Sequence, residues 1–394
     1  MRADRLVLED FRNYHHEAIE FSPELNLVVG RNAQGKTNLL EAVYFLGGLG
    51  SPRVSDAGLV REGADRALLH ADIARGTRAI HVDLEIRPGK GLRTLINKTP
   101  ATGSRALREL IVGVFFGPDD LSLIKGSPEG RRRFVDDSAV KLRPARESVR
   151  REWDRVLRQR NALLKSAPRA GGANRSARST LEVWDESLVR TGANLTAARL
   201  EVLGQLLPFA RKRYEQIAGG GELELAYASA WVDADFCAVS LAAPGAIDEG
   251  YIRRALEVGI DQVRPREMER GMSLVGPQRD DVAVLLASGS GDGSLLDART
   301  YASQGDQRTC ALALKLAEYD LLTDVLDEQP VLLLDDVLSE LDPARRTWLL
   351  DSVRGTGQTI VSSADAVETP ARRGLGGARV IEVRAGKVTV HAGP

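Results

Sequence analysis

The chain has 394 residues, enough for two domains or for one large domain carrying an insertion. Apolar residues make up 43% and charged residues 28%, and no apolar run approaches the roughly 20 residues of a membrane-crossing helix, so a folded cytoplasmic protein without a membrane partner is expected. The net charge of −1 excludes a uniformly basic nucleic-acid binder; any such surface has to come from local clustering. Cys237 and Cys310 are far apart and lack metal-ligand spacing, which fits a reducing compartment and neither a disulfide framework nor a zinc site. The residues from Met1 to Leu6 show no long apolar segment and no small-residue cleavage site, so no leader is expected.

In chain order, residues 6–11 alternate weakly and read as an edge strand, residues 11–14 as a turn and residues 18–21 as a second strand. The apolar run Leu25–Val29 then enters Gly30, Arg31, Asn32, Ala33, Gln34, Gly35, Lys36, Thr37 and Asn38, and a helical pattern follows through Tyr44. This is G-x-x-x-x-G-K-T between a strand and a helix, the context that a phosphate-binding loop requires. Gly30 and Gly35 let backbone N–H groups turn toward phosphate oxygens, and the helix start adds its positive dipole end. Lys36 is the residue for the β- and γ-phosphates, and the Thr37 hydroxyl for a Mg²⁺ shell. Strand-like runs follow at residues 67–73, 80–86, 93–96 and 112–116, with hairpin turns at 88–91 and 97–100.

From Lys125 the character changes. Between Lys125 and Arg178 stand 16 Lys or Arg against 6 acids. Val149, Trp153, Val156, Leu157 and Leu164 keep helical spacing, as do Leu181, Trp184, Leu188, Leu195, Val202 and Leu206. The expectation is two helices of about 30 Å each, at a rise of about 1.5 Å per residue, joined by a basic loop at 166–180. A glycine run at 219–221 ends the second helix. A strand near 222–227, a helix near 249–263 and a hairpin tip at 289–294 come next. The last segment alternates helix and apolar strand, as in a parallel sheet with crossover helices.

Two further pieces of an ATP site follow. The wholly apolar strand Val331–Leu334 ends in Asp335 and Asp336. In a phosphate-loop ATPase this strand is expected beside the loop-feeding one, with Asp335 meeting Mg²⁺ and Asp336 placed as a general base for the attacking water. Asp336 is shorter than the glutamate usual there, which suggests slow hydrolysis. Upstream, Ser303, Gln304 and Gly305 open a helix whose N-terminus is a second anion seat, expected to cap the γ-phosphate held by another subunit.

The ordered set of 30–37, 303–307, 331–336 and 339–342 resembles the ABC-type ATPase heads of chromosome-maintenance and DNA-repair proteins. Within that group the chain resembles the RecF family of bacterial recombination mediators over nearly its whole length. The matching stretches are residues 8–14, 35–42, 117–121, 125–128, 131–136 and 334–342, together with Gly276-Pro277-Gln278-Arg279-Asp280-Asp281. The resemblance implies an α/β ATPase head, a P-loop mixed sheet with helices, formed by 1–125 and 270–394, with an inserted helical arm over 126–269. It implies a weak, DNA-stimulated ATPase using ATP and Mg²⁺. It further implies an ATP-dependent homodimer that closes on DNA at gaps and single-/double-strand junctions and helps load RecA with RecR and RecO at the nucleoid.

Departures from the family pattern are Asp306, where Gln or Glu is frequent, and the switch segment 358–365, which carries Ser or Ala in place of His. Pro118 and Asp119 occupy the region of the metal-linking glutamine of transporters. The basic cluster is the expected DNA surface: Arg131, Arg132, Arg133, Lys141, Arg143, Arg150 and Arg151, with Arg146, Arg155 and Arg158 beside them and Arg53 as a separate candidate. Arg12 reads either as a nucleotide contact or as a surface strand end. Alternative readings are an SMC-like head, which calls for very long heptad arms, and a transporter motor subunit, which usually brings a switch histidine.

Overall fold

The run Leu25–Val29 is apolar on both faces, and in the computed structural model it lies inside a six-stranded sheet. The strand order is Lys387–His391, Arg379–Arg384, Leu25–Val29, Thr359–Ser363, Val331–Leu334 and Gly113–Phe116. All pairings are parallel except the hairpin closing the Lys387 edge. Thus the carboxylate strand does not lie beside the loop-feeding strand, as expected from sequence. Thr359–Ser363 runs between them, and Val361 pairs with Leu27 on one side and Leu334 on the other. The structure describes residues 1–101, 105–166, 175–288, 293–353, 355–364 and 378–391.

A second six-stranded sheet is wholly antiparallel, in the order Tyr14–Glu20, Arg2–Phe11, Ala67–Arg75, Arg78–Arg87, Gly91–Ile96 and Thr99–Ala101. Arg2–Phe11 is therefore an interior strand and not an edge. Leu6 and Leu8 enter the core on one face, and Arg5, Val7 and Glu9 lie on the more exposed other. Helix Lys36–Phe45 shares one apolar core with both sheets through Leu39, Leu40, Val43 and Phe45. Each such buried side chain is worth about 1.5–3 kcal/mol. Apolar burial therefore fixes the helix start that carries Lys36 and Thr37.

The chain divides into two compact units, one of Met1–Asp120 with Glu318–Pro394, the other Leu121–Ala317. Sequence placed these crossings at 125/126 and 269/270. The second lies further on because Asp281–Ala287 pairs with Leu223–Ala228 and Leu295–Asp297 in a three-stranded sheet that belongs with the helices.

In that unit the helix Arg146–Ser166 has 21 residues, about 31 Å, as expected. Arg175–Ala218 has 44 residues and measures about 66 Å, twice the expected length. The helix of 249–263 extends to Arg270, where Gly271 adopts the left-handed cap conformation. Of the loop at 166–180, residues 167–174 lie outside the described residues, as do 289–292 of the hairpin tip. No described helix is long and apolar enough to cross a membrane.

Candidate active site

The phosphate loop is shaped by two glycines with different constraints. Gly30 has φ 156°, and a Cβ there would lie 2.2 Å from the carbonyl oxygen of Val383. Gly35 has φ 119°, and a Cβ would meet the Asn13 side chain at 2.6 Å. Both positions exclude any larger residue. Arg31, Asn32 and Ala33 form the exposed rim of the loop.

Two turns far apart in sequence brace this loop, and sequence reasoning missed both as site elements. From the first, Asn13 Nδ2 donates to the Gln34 carbonyl at 2.9 Å, and the Tyr14 hydroxyl to the Gly35 carbonyl at 2.9 Å. Asn38 Nδ2 in turn donates to Asn13 Oδ1 at 2.8 Å. From the second, the Gly386 N–H donates to the Gln34 carbonyl at 3.0 Å and the Ala385 N–H to Gln34 Oε1 at 2.6 Å. The Arg12-Asn13-Tyr14 turn was visible as a family match; nothing in the spacing tied residues 385–386 to residue 34.

Lys36 is 6% exposed, and its ammonium donates to the carbonyls of Gly30 at 2.7 Å and Arg31 at 3.1 Å. Thr37 Oγ1 donates to Asp335 Oδ1 at 3.0 Å, and Ser362 Oγ donates to the same oxygen at 2.7 Å. Ser362 also accepts the Asp336 N–H at 2.9 Å. Thr37 thus reaches the carboxylate directly across the intervening strand, and that strand's Ser362 braces the carboxylate from its own side. Burial pushes the Asp335 carboxyl above the usual carboxylate range, while Ser362, Thr37 and the charge of Arg53 hold it down. Thr37 and Asp335 are hard oxygen donors side by side, a donor set that suits Mg²⁺.

Asp336 stands in the left-handed region at φ 52°, and its buried Oδ1 has no hydrogen-bond partner among the described residues. Such an orphaned acceptor is costly in a purely structural role. Arg53 lies 3.7 Å from Asp119 and within electrostatic reach of Asp335, so it belongs to the surroundings of the phosphate loop. Arg12 is not the free surface arginine of the second expectation. It makes a two-pronged ion pair with the fully buried Glu41, at 2.8 and 3.1 Å.

Ser303, Gln304 and Gly305 are exposed at the start of helix Gln304–Leu326. The Ser303 hydroxyl donates to Asp306 Oδ2 at 2.7 Å and accepts the Asp306 N–H at 3.2 Å. Ser303 is thus the N-cap of the helix, and Asp306 engages its hydroxyl through both backbone and side chain. In the 339–342 segment the Asp342 side chain caps helix Pro343–Ser352, and the side chain of residue 340 lies outside the described residues. So do residues 365–377, which include the end of the switch segment.

The basic cluster requires correction. Arg131 is 5% exposed and pairs through two bonds of 2.8 Å with Asp281, while its remaining nitrogen donates to the carbonyls of Leu123, Ile124 and Gly126. Lys141 is also 5% exposed. Arg132 is half-buried and donates to the Asp280 carbonyl at 2.6 Å, and Arg150 pairs with Asp137 at 2.7 Å. Arg131 and Lys141 thus serve the interior of their unit, and Arg132 and Arg150 are half-buried and held by neighbouring groups. Arg133, Arg143 and Arg151 are exposed, beside Asp137, Glu201 and Glu147 respectively.

The 276–281 stretch explains where the buried arginines go. Asp280 accepts from Tyr227 at 2.7 Å and Trp231 at 2.9 Å, and burial raises its carboxyl to about 6. Arg199 joins Pro277 to Asp136. What remains outward on helix Arg146–Ser166 is Arg151, Arg155, Arg158 and Lys165, which follow one face at helical spacing.

Strand, glycine loop, Lys36 and a buried carboxylate two strands away define a phosphate-loop ATPase head of the ABC type. The model of the RecF/RecN/SMC N-terminal domain matches residues 3–373. The chain belongs to the RecF family. It is 40% identical to the DNA replication and repair protein RecF of a Nocardioides species, covering 96% of this chain and 97% of that one. With the protein of the same name from Streptomyces avermitilis it shares 42% identity over 94% and 95% of the two chains. Among solved structures, the recombination mediator RecF with ATP, of the RecFOR pathway, superposes with TM-score 0.86 at 27% identity, covering 99% of this chain and 97% of that one. An Smc head bound to the winged-helix domain of ScpA superposes with TM-score 0.55 at 16% identity, a likeness of fold alone.

Proposed function

We propose that this chain is an ATP-dependent DNA-binding protein of recombinational repair and replication restart. Its ATP-bound homodimer closes on DNA at gaps and single-/double-strand junctions, and slow hydrolysis releases it. The observation that carries the reading is the Thr37–Asp335–Ser362 link, which joins loop and carboxylate strand in a chain at least 40% identical to RecF proteins nearly end to end. The family likeness supports the further reading that it helps load RecA with RecR and RecO at the nucleoid.

In this reading Lys36 and the loop N–H groups hold the phosphates. Thr37 and Asp335 would hold Mg²⁺, which supplies charge neutralisation at the phosphate oxygens when bound. Asp336 orients and deprotonates the attacking water. Ser303, Gln304 and Gly305 of a second copy complete the pocket, and Ser303 turns its proton from Asp306 to the γ-phosphate. Asp336→Asn should leave the backbone undisturbed, because asparagine tolerates the left-handed region. Turnover is expected to fall at least about 100-fold, the typical scale of acid–base assistance. An ATP-bound dimer should accumulate in sedimentation, and unchanged turnover would remove Asp336 from the role.

DNA meets the outward stripe of Arg151, Arg155 and Arg158 in preference to the 131–133 triple. Reversing these three charges should weaken DNA binding and reduce the slope of log affinity against log salt by about 2–3, at roughly 0.9 per phosphate contact. Equal binding and slope in the variant would place the DNA elsewhere. Sedimentation of the unaltered chain with and without ATP and DNA tests the assembly directly.

A further inference from the structure

We propose that His70, His81 and Asp83 bind a divalent transition-metal ion of the zinc class on the outward face of the antiparallel sheet. The sequence writes the same triplet pattern twice, His70-Ala71-Asp72 and His81-Val82-Asp83, on neighbouring strands. The antiparallel register sets Ala71 opposite Val82, which brings His70 opposite Asp83 and Asp72 opposite His81. Since side chains alternate between faces, all four polar groups share one side. Leu69, Ala71, Val82 and Leu84 fill the core on the other, at most 1% exposed, and give the cluster a rigid floor.

The donor atoms converge. One ligand atom from each of His70, His81 and Asp83 lies within 4.8 Å of the others. Asp83 Oδ1 is 2.5 Å from His70 Nδ1 and 3.1 Å from His81 Nε2. His81 Nδ1 lies 2.7 Å from Asp72 Oδ1. With Asp72 accepting from Nδ1, Nε2 donates to Asp83 Oδ1 while no ion is bound, and an ion that displaces this proton meets the Nε2 lone pair in the carboxylate–histidine–metal arrangement of many bound ions. Three protein donors with solvent access make an open site, and two imidazoles favour Zn²⁺, Co²⁺, Ni²⁺ or Cu²⁺ over Mg²⁺. The side chains of His70 and His81 are 34% and 42% exposed, so an ion reaches them without opening the core. This chemistry differs from the all-oxygen pair of Thr37 and Asp335, so the two positions would select different ions.

The test uses the full chain, treated with chelator and free of nucleotide. Zn²⁺ is titrated calorimetrically, and Co²⁺ by its visible absorption. One equivalent is expected, with a Co²⁺ spectrum of low coordination number, unaffected by excess Mg²⁺. His70→Asn and His81→Asn, each with unchanged circular dichroism, should abolish the stoichiometric step. Asp72→Asn should weaken it about 10–100-fold, as for loss of an outer carboxylate. Asp335→Asn should leave the Co²⁺ spectrum as it was. Absence of a one-equivalent step, its survival with both histidines replaced, or its loss in Asp335→Asn would each overturn the site.

Discussion

Lys36→Met is expected to abolish ATP binding and ATP-dependent pairing of two chains while the fold survives. The ammonium is nearly buried and held by the Gly30 and Arg31 carbonyls, which places a positive charge at the mouth of a loop built to receive phosphate. Methionine keeps much of the stem and removes only the charge. The two carbonyls belong to a loop whose rim is open, so water can replace the lost donor. The helix stays anchored by Leu39, Leu40, Val43 and Phe45. Charge-assisted bonds to phosphate are worth about 1.5–3 kcal/mol each, so losing two should weaken ATP at least about 100-fold. A fluorescent ATP analogue reads the affinity, sedimentation the pairing and thermal unfolding the fold. Dimers that still form with ATP in this variant would refute the assignment of Lys36.

Arg160→Ala is expected to destabilise the helical unit by about 3–5 kcal/mol, the scale of breaking a buried ion pair from one side. Arg160 is 0% exposed and donates to Asp185 at 2.7 Å, Glu267 at 2.6 Å and Ser273 at 2.7 Å. It thereby joins helix Arg146–Ser166 to helix Arg175–Ala218 and helix Glu249–Arg270. Removing it strands Glu267, itself 0% exposed, whereas Asp185 keeps Arg264 at 2.7 Å. The double variant Arg160→Met with Glu267→Met should recover most of the loss, because no lone buried charge then remains. Urea unfolding of the single and double variants measures both effects. A single variant within 1 kcal/mol of the parent would show that this charge is not needed for stability.

Arg160 and Arg131 also mark the limit of reading charge from composition. In the sequence they are two more positive residues in a basic run. In the structure each faces carboxylates that arrive from far along the chain, Asp185 and Glu267 for one and Asp281 for the other. Helical spacing could have separated Arg151, Arg155 and Arg158 from the buried positions, since Trp153, Val156 and Arg160 alternate with them on the opposite side. The partners of a buried cation have no such local signal.

The nucleotide site divides the same way. Gly30, Gly35, Lys36 and Thr37 were legible because a phosphate loop is a local object: one strand end, one tight turn and one helix start, contiguous in the chain. Asp335 was legible because a wholly apolar strand ending in carboxylates follows a phosphate loop in the same chain. Tertiary structure alone decided that Thr359–Ser363 runs between those strands and lends Ser362 to Asp335, that residues 385–386 pin Gln34, and that Arg2–Phe11 is interior. Strand order and cross-strand register depend on contacts hundreds of residues apart, and burial decides whether an arginine meets water or a carboxylate. Neither quantity is written in the spacing of neighbouring residues.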